Sequence, residues 1–312
     1  MGGMSLTWRP IAPDDVAAVA ALANAVAEAD GTGEVTTEES LRESLDAPRF
    51  QPSTDSVLVW EGDELVGTGF VFGRDDLVDG RALMMVSGGI HPAHRARGIG
   101  AELLTRLESR AVELAGERLP GAPVRLRSSG GLAGSAAQRL LEQRGYRPDN
   151  YFVTMQVELA DWVDPGTAST AVVPDETQRA ATRDAHNDAF RDHRNFSPIP
   201  ADAWEHWSRS SQLRPGQCQV VMEGDRVLAY VVAGEHEEGV IHVELVGTRR
   251  EARGRGLGRE VLLAGLRTAR GAGYRVSELE VDSTSPTGAD RLYASVGYRP
   301  VRVISRYVRD VA

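Results

Sequence analysis

Two stretches of this chain, HRARGIGAELL (94–104) and ARGRGLGREVL (252–262), carry the same order of arginines and glycines. Arg95, Gly98 and Gly100 match Arg253, Gly256 and Gly258 at a constant spacing of 158 residues. Further along, Gly145 and Tyr146 match Gly297 and Tyr298 at a spacing of 152. Two motifs in the same order at nearly equal spacing indicate an internal duplication, so the chain has to fold as two copies of one module. At 312 residues in all, each copy has the length of an ordinary domain.

The flanking patterns agree. SVLVWEGDELVGTGFVFG (56–73) reads as two strands around a turn at Glu61-Gly62-Asp63, and QVVMEGDRVLAYVVAG (219–234) repeats it around Glu223-Gly224-Asp225. In each half another apolar strand runs into the arginine–glycine loop, and an amphipathic helix follows, over about 98–116 and about 256–272. A strand and a short helix ending in RGY (144–146) or VGY (296–298) come next, before closing strands. The polar, turn-rich ADWVDPGTAST (160–170) reads as a linker, which sets expected domains at 1–160 and 170–312.

The second loop, RREARGRGLGRE (249–260), holds five arginines and three glycines. Such a run suits either a nucleic-acid backbone or one small phosphorylated ligand. The chain carries a net charge of −10 and has no lysine, a poor balance for a general nucleic-acid binder. A basic island on an acidic protein favours a small anion. Glycines let the main chain turn sharply. The loop amides and the following helix N-terminus then converge on one spot suited to a pyrophosphate. Arg249, Arg250, Arg253, Arg255 and Arg259 add charge-assisted donors. The glycine spacing is not that of the dinucleotide fingerprint.

Other features narrow the class. Hydrophobic residues make up 41%, enough for packed cores. No apolar run approaches the ~18–20 residues of a membrane span, and MGGMSLTWRP lacks a signal-peptide pattern, so the expected location is cytoplasmic. A single cysteine, Cys218, has no internal disulfide partner and reads as a small buried strand residue. No cluster has structural-zinc spacing, no metal is expected, and His91 and His94 read as scattered surface residues.

Over essentially its full length the chain resembles a tandem GNAT protein, from the superfamily of GCN-related N-acetyltransferases that use acetyl-CoA. Residues 94–104 and 252–262 each match that superfamily's R/Q-x-x-G-x-G/A loop. VDSTSPTGADRLYASVGYRP (281–300) resembles its downstream helix, with the L-Y-x-x-x-G-F/Y core at Leu292, Tyr293, Gly297 and Tyr298. A two-domain plan with the fuller match in the second half is similar to mycothiol synthase-like actinobacterial acetyltransferases, in which the second domain carries catalysis. The resemblance implies an α/β (α+β) chain of two tandem GNAT domains, each a mixed, mostly antiparallel sheet flanked by helices. It implies acetyl-CoA as cosubstrate. Its pyrophosphate would lie on Arg253, Gly254, Arg255, Gly256, Leu257, Gly258 and Arg259, and its pantetheine arm along Leu245, Val246, Gly247 and Thr248. Ser285 stands where the family often has an asparagine contacting that arm. In the first half Arg95, Arg97, Gly98 and Gly100 form the matching loop.

Acetyl transfer to an amine needs a base for the ammonium, donors for the oxyanion and an acid for the departing thiolate. On VIHVELVGT (240–248), His242 and Glu244 alternate with apolar residues and so share a strand face. A histidine titrates near neutrality and a partly buried glutamate can be raised to serve, so both stand as the candidate base. By the resemblance, Tyr293 is the acid. Subtracting the repeat spacings puts Met84, Val86 and Leu141 at the corresponding positions of the first half, which is therefore expected to be catalytically silent. NDAFRDHRNFSPIPADAWEHW (187–207) concentrates Asp192, His193, Trp204, His206 and Trp207. These either wall a cleft for a small-molecule amine or fill a helix–loop–helix core. The expected function is acetyl transfer to a primary amine by direct attack in a ternary complex, without nucleic-acid or membrane partners. The alternatives are a non-catalytic acyl-CoA sensor and a protein N-acetyltransferase.

Overall fold

The computed structural model describes residues 5–192, 196–283 and 288–311. They form two compact units, 1–150 with 304–312, and 151–303. The first unit contains β1 (Leu6–Arg9), α1 (Val16–Asp30), α2 (Glu38–Leu45), α3 (Pro52–Asp55), β2 (Ser56–Glu61), β3 (Glu64–Val78), β4 (Arg81–Ile90), α4 (Ile99–Arg118), β5 (Val124–Gly131) and α5 (Ala136–Gln143). The chain then enters the second unit along β6 (Arg147–Glu158). There follow α6 (Glu176–Phe190), α7 (Ala201–Ser208), β7 (Gln219–Glu223), β8 (Arg226–Glu237), β9 (Val240–Thr248), α8 (Leu257–Gly271), β10 (Val276–Asp282) and α9 (Ala289–Val296). Along β11 (Arg299–Val311) the chain returns to the first unit.

Each unit is a mixed, mostly antiparallel sheet with helices against it. In the first, β1, β2, β3 and β4 pair antiparallel, β5 joins β4 in parallel, and Ser305–Val311 of β11 closes the sheet antiparallel to β5. In the second, β7, β8 and β9 pair antiparallel, β10 joins β9 in parallel, and Phe152–Glu158 of β6 closes the sheet against β10. The duplication is visible down to a bulge between Val59 and Trp60, repeated between Val221 and Met222. The closing strands, however, are exchanged: the strand after α5 pairs in the second unit and the strand after α9 pairs in the first. The compact units therefore differ from the contiguous segments 1–160 and 170–312.

Helix periodicity explains the cores. In α4, Ile99, Leu103, Leu107, Ala111 and Leu114 recur every three or four residues and bury one face on the sheet. In α8, Leu257, Val261, Leu262 and Leu266 do the same. Burying each such leucine stabilises the unit by about 1.5–3 kcal/mol. Cys218 is buried just ahead of β7, where desolvation raises its thiol pKa, so it is an apolar filler and not a nucleophile.

Candidate active site

In the second unit β9 and β10 are paired only from Val240 to Val243 and from Val276 to Leu279. Beyond that point the two strands part, and a cleft of about 550 Å³ opens between them. Glu244, Leu245, Val246, Gly247 and Thr248 line one side, and Glu280, Val281 and Asp282 the other. The arginine–glycine loop and the start of α8 also line it, with Leu292 and Tyr293 of α9, Phe152 and Phe190.

The loop is shaped by backbone geometry. Gly256 caps α8 in the left-handed region (φ +78°) and has no side chain to satisfy the first-turn amides, which are left open toward the cleft. Most of the arginines are already engaged. Arg253 donates to the Ala189 carbonyl at 2.6 Å and pairs with Asp192 at 3.3 Å, tying the loop to α6. Arg250 also pairs with Asp192, Arg249 donates to the Val227 carbonyl, and Arg255 pairs with Glu223. Arg259, on the first turn of α8, has no ion pair among the described residues and faces the cleft. Main-chain amides and one guanidinium without an ion pair among the described residues thus line the same cleft.

Glu244 owes its position to a β-bulge. Leu245 pairs with Val232 and Val243 with Ala233, so Glu244 is an extra residue in β9 with no partner on β8. Its Oε1 lies 2.5 Å from Nε2 of His236 on β8. Gly234 makes room for it, since a Cβ there would come within 2.6 Å of that oxygen. His242 stands beside them, its ring 5.5 Å from that of His236, so His242 and Glu244 do share one face. His242 is not on the cleft wall. Its Nδ1 is 3.5 Å from Oε1 of Glu278, which also accepts from Gln156. Burial works against the imidazolium, but the Glu278, Glu244 and Glu280 carboxylates outweigh it and raise the His242 pKa. Burial likewise opposes the Glu278 carboxylate, and His242 and Gln156 still lower its pKa.

Tyr293 is 7% exposed, reaching the cleft through otherwise apolar packing. Desolvation pushes its pKa up to about 12, so the phenol keeps its proton at neutral pH.

The first unit has the corresponding opening where β4 and β5 part, a cleft of about 770 Å³ lined by Val86–Ile90, Arg95, Gly98 and Gly100. Its loop adopts the same turn: Gly98 has φ +81°, and Ala96 holds the left-handed conformation (φ +61°) that Gly254 adopts in the second unit. Arg95 is clamped to Asp30 at 2.6 and 2.9 Å, and Arg97 grips Glu61 at 2.7 and 2.8 Å. At the places of His242, Glu244 and Tyr293 the first unit differs. Val71 pairs with Val86 as Ala233 pairs with Val243, and β4 has no bulge there. The register therefore corrects the constant-spacing assignment of Met84 and Val86. The counterpart of His242 is Met85, 45% exposed, and Glu244 has none. Leu141, opposite Tyr293 in the repeat, is core.

Several candidates from the 187–207 stretch land elsewhere. Trp204 is buried against His186 and Trp207, Trp207 packs against the core cluster around Tyr230 and Val232, and neither lines the cleft. Asp192 is taken up by Arg250 and Arg253. His193 and Ser285 lie outside the described residues. Phe152, Phe190 and His236 gave no signal in the sequence, since an isolated aromatic or histidine has no pattern. His91 and His94 are not scattered: with Glu64 they bring ligand-type atoms within 4.8 Å of one another. His94 turns Nε2 to Glu64 at 3.2 Å, while its Nδ1 contacts Glu61 and Arg97.

A family model described as the Acetyltransferase (GNAT) family matches residues 23–146 and 179–298. The chain belongs to the GNAT acetyltransferase family. It is an acyltransferase built from tandem GNAT domains. It is 30% identical over 301 residues to the mycothiol acetyltransferase of Geodermatophilus obscurus, covering 92% of this chain and 91% of that one. With the mycothiol acetyltransferase of Kineococcus radiotolerans it is also 30% identical, covering 93% and 91%. Among solved structures, a GCN5-related N-acetyltransferase from Sphaerobacter thermophilus superposes with a TM-score of 0.76 at 26% identity, covering 98% of this chain and 95% of that one. A tandem GNAT protein from the clavulanic acid biosynthesis pathway shares the fold, with a TM-score of 0.69 at 17% identity and 98% coverage of both chains. Among the described residues no helix is long and apolar enough to cross a membrane.

Proposed function

We propose that the second GNAT domain transfers acetyl from acetyl-CoA to a primary amine of a small molecule, by direct attack in a ternary complex, and that the first domain is catalytically silent. The observation that carries this reading is one cleft faced by a carboxylate, a protonated phenol and an uncapped helix N-terminus. The pyrophosphate lies on the amides of Gly254 to Gly258 with Arg259 as counter-charge, and the pantetheine follows the main chain of Leu245 to Thr248. Glu244 takes a proton from the ammonium, and the freed lone pair attacks the thioester carbon. The free main-chain edge of β9 donates to the oxyanion. As the tetrahedral intermediate collapses, the C–S bond breaks, Tyr293 gives its proton to the thiolate, and the second proton lost by the nitrogen restores the phenol. Between the two candidate bases the cleft wall favours Glu244, because His242 is turned to Glu278. Glu280 and Asp282 attract a cationic acceptor, and Phe152 and Phe190 pack against its body.

Coenzyme A thiol release tests this, with spermidine, glucosamine, kanamycin and the mycothiol-type acceptor that the relatives' name denotes. Turnover with one of them, reduced about 10²-fold or more in Tyr293→Phe and in Glu244→Gln at unchanged coenzyme A affinity, is expected. Coenzyme A binding without turnover on any amine would favour an acyl-CoA sensor.

A further inference from the structure

We propose that His236 is the positioning residue of the Glu244 carboxylate; this rests on the acetyl-transfer reading of the same cleft. His236 is itself an extra residue. On β8, Glu235 pairs with Ile241 and Glu237 with Val240, which leaves His236 in a bulge of its own. Two bulges on neighbouring strands therefore point their unpaired residues at each other, and the contact they make is Nε2 to Oε1 at 2.5 Å. A bulge breaks the ladder and re-aims a side chain. Two of them directed to one contact is a costly arrangement for an ordinary surface pair.

The chemistry of the contact fixes its sense. An ionised carboxylate only accepts, so Nε2 carries the hydrogen and donates to Oε1. Gly234 lies against that same oxygen. Oε1 is thus taken up by His236, and among the described residues Oε2 has no hydrogen-bond partner, which leaves that oxygen available to the cleft that Glu244 lines. His236 is in turn backed edge-on by His242, whose Nδ1 is held by Glu278, with Gln156 beyond it. The chain Gln156–Glu278–His242–His236–Glu244 runs from β6 and β10 across β9 to the base. Fixing a base within a fraction of an ångström matters because a misplacement of about 1 Å can cost ~10²-fold in rate. The first unit, which has no residue at the position of Glu244, has Arg74 in the place of His236.

The test uses the full chain and whichever amine of the four gives the fastest thiol release. His236→Ala is expected to lower kcat by about 10- to 100-fold with KM for acetyl-CoA unchanged. His236→Gln, which retains an N–H donor, is expected to recover much of that loss. In a Glu244→Gln background His236→Ala is expected to cost nothing further, because its effect runs through the carboxylate. Thermal melting of each variant checks that the fold persists. The proposal is overturned if His236→Ala turns over within twofold of wild type. It is also overturned if His236→Ala costs the same in both backgrounds, or if Gln is no better than Ala. A wild type silent on every amine would instead sink the acetyl-transfer reading, and the positioning role of His236 would fall with it.

Discussion

His242 and Glu278 form a half-buried ion pair whose pH dependence has a definite sign. The folded His242 pKa is raised, so its contribution is complete below the ordinary value of 6.5 and fades as pH climbs through the folded value. Glu278 is lowered, so its contribution is complete above its ordinary 4.5 and fades as pH falls through its folded value. Glu278→Gln should therefore destabilise the chain most between pH 4.5 and 6.5, by about 1 kcal/mol. The gap to wild type should narrow toward pH 9. Denaturant midpoints at pH 6 and pH 9 measure this, and a constant gap would mean the pair carries no charge. His242, Glu244 and Tyr293 were legible in the sequence from strand alternation and the L-Y helix. The contacts that His236 and Glu278 make with them were not, because a bulge on each of two neighbouring strands and a cross-strand pair leave no mark on the local pattern.

At the scale of elements, the loop and the bulge do different things. The loop is written in the sequence: glycines at 254, 256 and 258 announce its turn, and Gly256 indeed sits at φ +78° with open space where a Cβ would go. Gly256→Ala therefore meets no clash and costs backbone strain of about 1 kcal/mol, borne by the amides that face the cleft. KM for acetyl-CoA should rise about tenfold while melting falls by only ~2–4 °C. An unchanged KM would show that the cofactor does not use this turn. In the first unit Ala96 already bears that strain. Ala96→Gly should stabilise it by ~0.5–1 kcal/mol in chemical denaturation, and a destabilisation would mean the strain is relieved elsewhere. The bulge at Glu244 had no such announcement. A one-residue insertion keeps apolar residues on both sides of it, so VIHVELVGT reads as an uninterrupted strand until its partner on β8 is known.

For the whole molecule, duplication does not mean two self-contained halves. A fragment of residues 1–160 lacks Ser305–Val311, the strand that covers β5, and a fragment of 161–312 lacks Phe152–Glu158, the strand that covers β10. Expressed separately, each should lose amide-exchange protection in its uncovered strand, β5 or β10, relative to the full chain, and melt without a sharp transition. Two cooperative fragments with native protection would show that the exchanged strands are dispensable. The sequence by itself determined the repeat, the order of strands and helices, the loop and the helix tyrosine, because these depend on local pattern: alternation, helical periodicity and glycine placement. Only the tertiary structure decided which closing strand completes which sheet, that Glu244 is a bulged residue without a counterpart, and that His236 holds it while the tryptophans of α7 go to the core. Those depend on register and on contacts between residues distant in the chain, and a slip of one residue in register leaves the local pattern unchanged while moving every side chain it governs.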